Sequence, residues 1–535
     1  MKKRFITGSF TLLLLCGLFT QCEQKLNLNP LGKLDEQTFF QSDNDFKGAV
    51  LLAYSSLLNY TFDQSDSGGW FQTTLMTDDD TTPENTTVNS QEIFNWTATD
   101  GPFRAVWQTT YKGIQRSNVI LEKLPEATAM TDSSKKVFEG EARFLRAYFN
   151  FILAIHYGQA PFIEKTPRTL EATRAGNSAP GQLWDVVISD LRIAKANLPR
   201  RWGNENLGRA SGGAAQALLG KVLLFRAQWE NKPELYAQAA TEFQGLASSY
   251  SLMKNFHENF ITRTENNAES LFEIQMGIGG FNPWLPVDFN FDGNGEDISA
   301  GSGRLIYTRA SCGLNPDDCA PGANAQGYGD VIVTNSLQRE FEKGDPRRVS
   351  TIFLEGDPFN TGENVNGSKK WVFRSVFSAT GSSIAKYVLG DNNIDFRSPL
   401  SVNNERVIRY ADVLLMLAEC RILGPTKDFA GAAALINQVR RRADPTATAL
   451  PDVKVGTEAE LFKALVHERR VELAFECHRY NDLVRWHRAK RIDIKKDIDF
   501  GRLDPNTNWT EKNLLKPIPQ SERDLNPALV QNPGY

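Results

Sequence analysis

Apolar residues recur at three- and four-residue intervals along most of the chain, the spacing of one face of an α-helix. The pattern holds over Asp43–Tyr60, returns from Ala105 and is strong at 111–124. It continues at 138–165, where Gly158 and Pro161 stop the helix, and then at 181–198 and 214–229. At 235–247, Tyr236, Ala239 and Phe243 share one side of a helix rich in small residues, as a close helix pair requires. A second pair is predicted at 410–443, where Phe429, Ala433 and Ile436 line the later helix. These pieces read as tetratricopeptide-like hairpins on both sides of a different kind of region.

Two stretches lack the helical period. Residues 61–103 hold Trp70, the run Asp78-Asp79-Asp80 and Trp96 among Thr, Asn and Gly. Loops of that length in compact proteins are uncommon unless they carry function, and two tryptophans argue against disorder. Residues 271–400 begin with a strand-like LFEIQ at 271–275 and then run through Gly, Asn, Pro and aromatics. A short helical pattern at 335–348 and the strand-like KWVFRSV interrupt them. The final residues, from LLKPIP to QNPGY, are Pro- and Asn-rich but keep apolar anchors, which predicts a packed tail.

The most charged of the helical stretches is His467–Trp486, expected as one helix covered on two sides. Leu461, Ala464, Leu465, Val471 and Phe475 fall on one stripe, and Phe462, Val466 and Leu473 on another. Glu468 and Glu472 lie within the first stripe, with Arg469 and Glu476 between the two, so these charges need partners. A general acid and base is one reading of Glu468 and Glu472, and a buried ion-pair network with arginines is the favoured one. His467-Glu468 is no zinc-protease motif, because Val471 stands where the second histidine belongs.

Composition is that of an ordinary globular protein, with 535 residues and a net charge of −4. Basic residues are mixed with acidic ones and form no tract that would grip a phosphate backbone, so nucleic acid is not an expected partner. The start departs from this: Lys2, Lys3 and Arg4 precede an apolar run, Phe10–Phe19, and then Cys22. Residues 1–21 read as an export signal, followed by a polar tether at 22–43. Gln21 departs from the small residue expected before a lipidated cysteine, yet Cys22 sits where a lipid acceptor would. Cys312 and Cys319 could close a small surface disulfide, whereas Cys420 and Cys477 read as buried thiols.

Several fragments together resemble the SusD/RagB family of outer-membrane nutrient-binding lipoproteins. They are GEARFLRAYFNF (140–151), YGQAPFIEK (157–165), NNAESLFEIQ (266–275), GDPRR (344–348), ERVIRYADVLLMLAE (405–419), INQVRRRA (436–443), ERRVELAFECHRYNDLVRW (468–486), PIPQSE and QNPGY. The family's glycine after AFE is replaced by Cys477. The resemblance implies a mainly α fold: a discontinuous scaffold of tetratricopeptide-like helix pairs, an irregular loop-rich subdomain and a few short strands. The expected divisions are a scaffold at 44–270 with ligand loops at 61–103, an irregular insertion at 271–400, and a second scaffold with an ordered tail at 401–535. It further implies a lipid-anchored, surface-exposed outer-membrane binder, without enzymatic activity, that captures an oligosaccharide for a SusC-like TonB-dependent transporter. A peptide-binding member of the family is the main alternative, and a surface glycoside hydrolase a lesser one.

Sugar rings offer apolar C–H faces edged by hydroxyls, so their binders pair exposed aromatic faces with polar side chains. Trp70, Trp96, Phe281, Trp284 and Tyr328, with Asp79, occur in segments of that composition and are the expected ligand residues. Trp184, Trp229 and Trp486 lie in helical patterns and are expected in the scaffold. Asp288, Asn290 and Asp292, with Gly293 at the turn, resemble the start of a structural calcium loop, although Ser299 stands where its twelfth ligand belongs. No other cofactor is expected.

Overall fold

The computed structural model describes residues 39–61, 77–81, 91–276, 331–357, 373–387, 403–501 and 508–535. Six helices precede residue 250 in these segments: α1 Asp43–Thr61, α2 Gly101–Lys123, α3 Asp132–Tyr157, α4 Gln182–Asn197, α5 Gly212–Trp229 and α6 Glu234–Gln244. After them come α7 Asn335–Glu340, α8 Arg348–Thr351, α9 Tyr410–Leu423, α10 Phe429–Ala443, α11 Glu458–Leu473, α12 Arg479–Arg488, α13 Ile494–Asp497 and α14 Gln520–Leu525. The chain is mainly helical, as its periodicity predicts.

Local chemistry sets the helix ends. The Thr131 and Ser211 side chains accept the orphan N–H groups of Ser134 and Ala214 at the starts of α3 and α5. A reciprocal Thr457–Glu460 capping box opens α11. Gly158, at φ +68°, stops α3 at the predicted place. Consecutive helices from α2 to α6 pack on one another, and α6 then packs on α9, which carries α10 and α11. At two crossings the backbones approach so closely that a Cβ would overlap a buried ring: Gly113 against Phe149, and Gly220 against Phe243. Tyr236, Ala239 and Phe243 are all buried, as their shared face predicts.

One continuous apolar core runs from α1 to α11 and includes residues on both sides of the irregular region. The antiparallel pair β2 (Ser270–Ile274) and β6 (Glu405–Arg409) joins the two helical blocks, with Leu271, Phe272, Ile274 and Ile408 in that core. Two further pairs are minimal: β1 (Asp80–Thr81) with β3 (Ile332–Val333), and β4 (Ile352–Phe353) with β5 (Ser383–Ile384). The tail is packed down: Ile518 is buried, and Asn532 Nδ2 donates to the Tyr157 and Lys516 carbonyls.

Three expectations change. His467–Trp486 is not one helix: α11 ends at Leu473 and α12 starts at Arg479, with Phe475 and Cys477 at φ +63° and +61° between them. Within that turn the Glu476 carboxylate accepts from Arg409 and Lys386. Helical spacing at 335–348 is realised only in α7, which ends at Glu340; the GDPRR turn follows, where Asp345 accepts from the Arg347 N–H, and α8 begins at the last residue of that stretch. In KWVFRSV, Phe373 is buried against Phe353, and Ser375–Phe377 forms a 3-10 turn rather than a strand.

Candidate functional site

The charges of α11 are answered from distant segments. Arg409 donates from Nη1 to Glu269 at 2.7 Å and to Glu472 at 2.6 Å, and from Nε to Glu476 at 2.6 Å. Arg347 pairs with Asp345 at 2.8 Å and Glu472 at 3.0 Å, and it also donates to Glu468. Arg442 bridges Glu269 and Glu472, Arg440 reaches Glu468 at 3.1 Å, and Lys386 holds Glu476 at 2.9 Å. Five of the recognised fragments thus meet in one buried cluster: NNAESLFEIQ, GDPRR, ERVIRYAD, INQVRRRA and ERRVELAFE. Burial alone would push the Glu472 carboxyl up, but Arg442, Arg409 and Arg347 hold it well below the usual carboxylate range. A group held ionised by three guanidiniums does not suit a general acid, and Glu468 is engaged by Arg347 and Arg440, so both carboxylates serve the frame.

A second cluster ties α12 to α5 and α9. Arg469 bridges Asp412 at 2.9 Å and Asp482 at 2.8 Å, while Lys221 reaches Asp412 at 3.3 Å. Arg485 and the Trp486 indole both donate to Glu419. Trp184 and Trp486 are buried and Trp229 is partly buried, as expected of scaffold residues.

The segments that carry the expected ligand residues are rooted beside this frame. β1 lies in the short described stretch 77–81, and its Asp80 and Thr81 pair with Val333 and Ile332. Thr334 Oγ1 donates to the Asp78 carbonyl at 2.6 Å, and Arg479 grips the Asp78 carboxylate at 2.8 and 2.6 Å. Arg470 donates to Asp79 at 2.7 Å and to Ser336 at 3.1 Å. Burial pushes Asp78 up, yet the Arg470 and Arg479 charges outweigh it and hold the group at about 2. Burial raises its neighbour Asp79, and the Asp78 charge adds to the rise. Asp79 is therefore a correction: it is 2% exposed and anchors a strand, leaving it no edge for a sugar hydroxyl.

Trp96 is the second correction. It is 4% exposed, packs edge-on against Phe103 and Tyr480, and donates from Nε1 to the Gln91 carbonyl at 2.9 Å. The Lys516 Nζ lies 4.0 Å from its ring centroid and 4.1 Å from that of Tyr480. Its π face is covered by the buried Lys516 side chain rather than open to a ring of sugar. Burial pushes the Lys516 amine well below its ordinary range. Helical periodicity gave no sign of this cage, since Trp96, Tyr480 and Lys516 are far apart in sequence.

Trp70, Phe281, Trp284 and Tyr328 lie outside the described residues, as do Asp288, Asn290, Asp292, Cys22, Cys312 and Cys319. Among the described residues no cluster of three His, Cys, Asp or Glu side chains could hold a metal ion, and no helix is long and apolar enough to cross a membrane. An open cleft of about 520 Å³ separates α1 from β2, lined by Leu51, Leu52, Leu57, Leu207 and Phe272. A charged cleft of about 730 Å³ lies at α7, α10 and α11, lined by Glu340, Glu342, Arg440, His467, Arg470 and Arg479.

Paired helices held by buried ion clusters, with short strand pairs beside them, define the scaffold. Comparison with known proteins gives that scaffold its family. The SusD family model matches residues 263–535, just over half of the chain, and a model described as "Starch-binding associating with outer membrane" matches 61–224. The chain belongs to the SusD family. It is 26% identical to a SusD-like protein of Formosa agariphila over 96% of each chain. A laminarin-binding SusD-like protein shares the fold at a TM-score of 0.70 and 24% identity, covering 92% of this chain and 100% of that one. Surface glycan-binding protein A of Bacteroides thetaiotaomicron, solved with laminarihexaose, does so at 0.71 and 21%, covering 92% and 99%.

Proposed function

We propose that this chain is an outer-membrane-associated glycan-binding protein that captures an oligosaccharide and delivers it to a SusC-like TonB-dependent transporter. The observation that carries this reading is membership of the SusD family together with the starch-binding family match, on a scaffold shared with laminarin-binding proteins. Anchoring falls to a lipid on Cys22, and affinity to stacking and hydrogen bonds from the segments holding Trp70, Phe281, Trp284 and Tyr328. A structural calcium at Asp288, Asn290 and Asp292 belongs to the same reading.

Calorimetry against laminarihexaose, maltohexaose and a peptide library tests it. Replacing Trp70 and Trp284 together by alanine should weaken binding of the preferred sugar at least about tenfold, the size of one lost aromatic contact. Unchanged sugar affinity in that variant would remove these rings from the site. Binding of peptides with no sugar bound would change the cargo class.

A further inference from the structure

His467 stands on α11 with both ring nitrogens against carboxylates: Nδ1 is 2.7 Å from Glu340 and Nε2 is 3.2 Å from Glu342. A neutral imidazole has one N–H and can donate to only one of them, so its bare nitrogen would face an oxygen lone pair. The imidazolium satisfies both. The surrounding charges complete the arrangement. Arg470 reaches Glu340 at 3.2 Å from α11, Arg440 reaches Glu342 at 2.7 Å from α10, and Glu468 acts on the ring from the same helix. Arg479 on α12 adds its field at Glu340, and Lys463 and His467 line the same open cleft.

Glu340 ends α7, whose first turn is capped by Thr334, and Thr334 is bonded to Asp78 and Asp79 beside the β1–β3 pair. One end of each of the segments 62–76, 82–90 and 277–330 joins the described chain on this same root, at residues 77, 81 and 331. We propose that His467 is a pH-dependent latch that fastens the root of the ligand-bearing segments to α11, so that ligand capture weakens when the imidazolium loses its proton. The part concerning capture rests on the glycan-binding reading above; the latch itself does not.

The sign follows from the shift. Burial lowers the affinity of His467 for a proton, but the Glu340 hydrogen bond and the charges of Glu340, Glu468 and Glu342 overcome it and raise the group above 6.5. A raised histidine stabilises fully below its unfolded value and loses that contribution as pH rises through the folded one. The latch is therefore closed in mild acid and opens towards alkaline pH.

The test uses the full chain and its His467→Gln and Glu342→Gln variants between pH 5.5 and 9. In the wild type the imidazole should titrate above the ordinary histidine range by NMR. Amide protection over 331–342, corrected for the intrinsic pH dependence of exchange, should fall about tenfold across that midpoint. His467→Gln should flatten the profile, and Glu342→Gln should move the imidazole midpoint down. An imidazole that titrates at or below its ordinary value, or an unchanged profile in His467→Gln, would overturn the latch. Laminarihexaose affinity should fall over the same pH window in the wild type only. Affinity independent of pH while the latch titrates overturns the coupling. A latch that titrates in a protein binding no sugar upholds the latch and overturns the glycan reading.

Discussion

Helix α5 and the C-terminal half of α11 are both buried, yet they are held by opposite means. Nearly every residue of α5 is enclosed, and its fit depends on small residues: Gly220 lies under Phe243 and Gly213 under Tyr250. Its principal neighbours, α4 and α6, come directly before and after it in the chain. The buried face of α11 instead presents Glu468 and Glu472, whose partners Arg347, Arg409, Arg440 and Arg442 come from the irregular region, a strand and another helix. Shape specifies the first helix locally; charge specifies the second across the chain. The ion cluster sets which distant segments meet, at the cost of desolvating every member.

The sharpest way to break this contrast is Arg409→Ala. It leaves Glu269, Glu472 and Glu476 short of a shared cation inside the protein, and a loss of about 3–5 kcal/mol in denaturant unfolding is expected. A cost under ~1 kcal/mol would mean that the carboxylates find water and that the cluster is not the joint between the two blocks. The counterpart on α5 is Gly220→Leu, which drives a side chain into the Phe243 ring and should cost about 1–3 kcal/mol. Its effect should be the same at low and high ionic strength, since no charge is involved.

The same contrast explains what could be read in the sequence. Periodicity locates α2 to α6, α9 and α10 because their packing is apolar and local, and Gly158 marks a real stop. It also shows that Glu468 and Glu472 are buried, without naming their partners. Periodicity extends a helix through Phe475, which fits the stripe while its backbone, like that of Cys477, is left-handed. Composition places Trp96 and Asp79 in a polar, aromatic stretch, where exposure and ion pairing look alike. Only the tertiary positions of Lys516 and Arg470 decide that both face inward. The family fragments are legible singly, whereas the ion cluster is not, because most of the charges that a fragment contributes find their partners in another fragment.

The smallest test falls at the joint between α11 and α12. Cys477 holds φ +61° where the family pattern places glycine, and a left-handed conformation costs an L-residue roughly 1–2 kcal/mol. Glycine relieves that strain but gives the unfolded chain more freedom, worth about 0.4–1 kcal/mol in the opposite direction. Cys477→Gly should therefore stabilise by about 0.5–1 kcal/mol, seen as a higher denaturation midpoint at unchanged slope. Cys477→Ala separates backbone from thiol, because it keeps the Cβ and removes only the sulfur that packs beside Phe475. If the strain is real, alanine gives no gain. If alanine stabilises as much as glycine, the thiol was the burden and the turn between the two helices is relaxed.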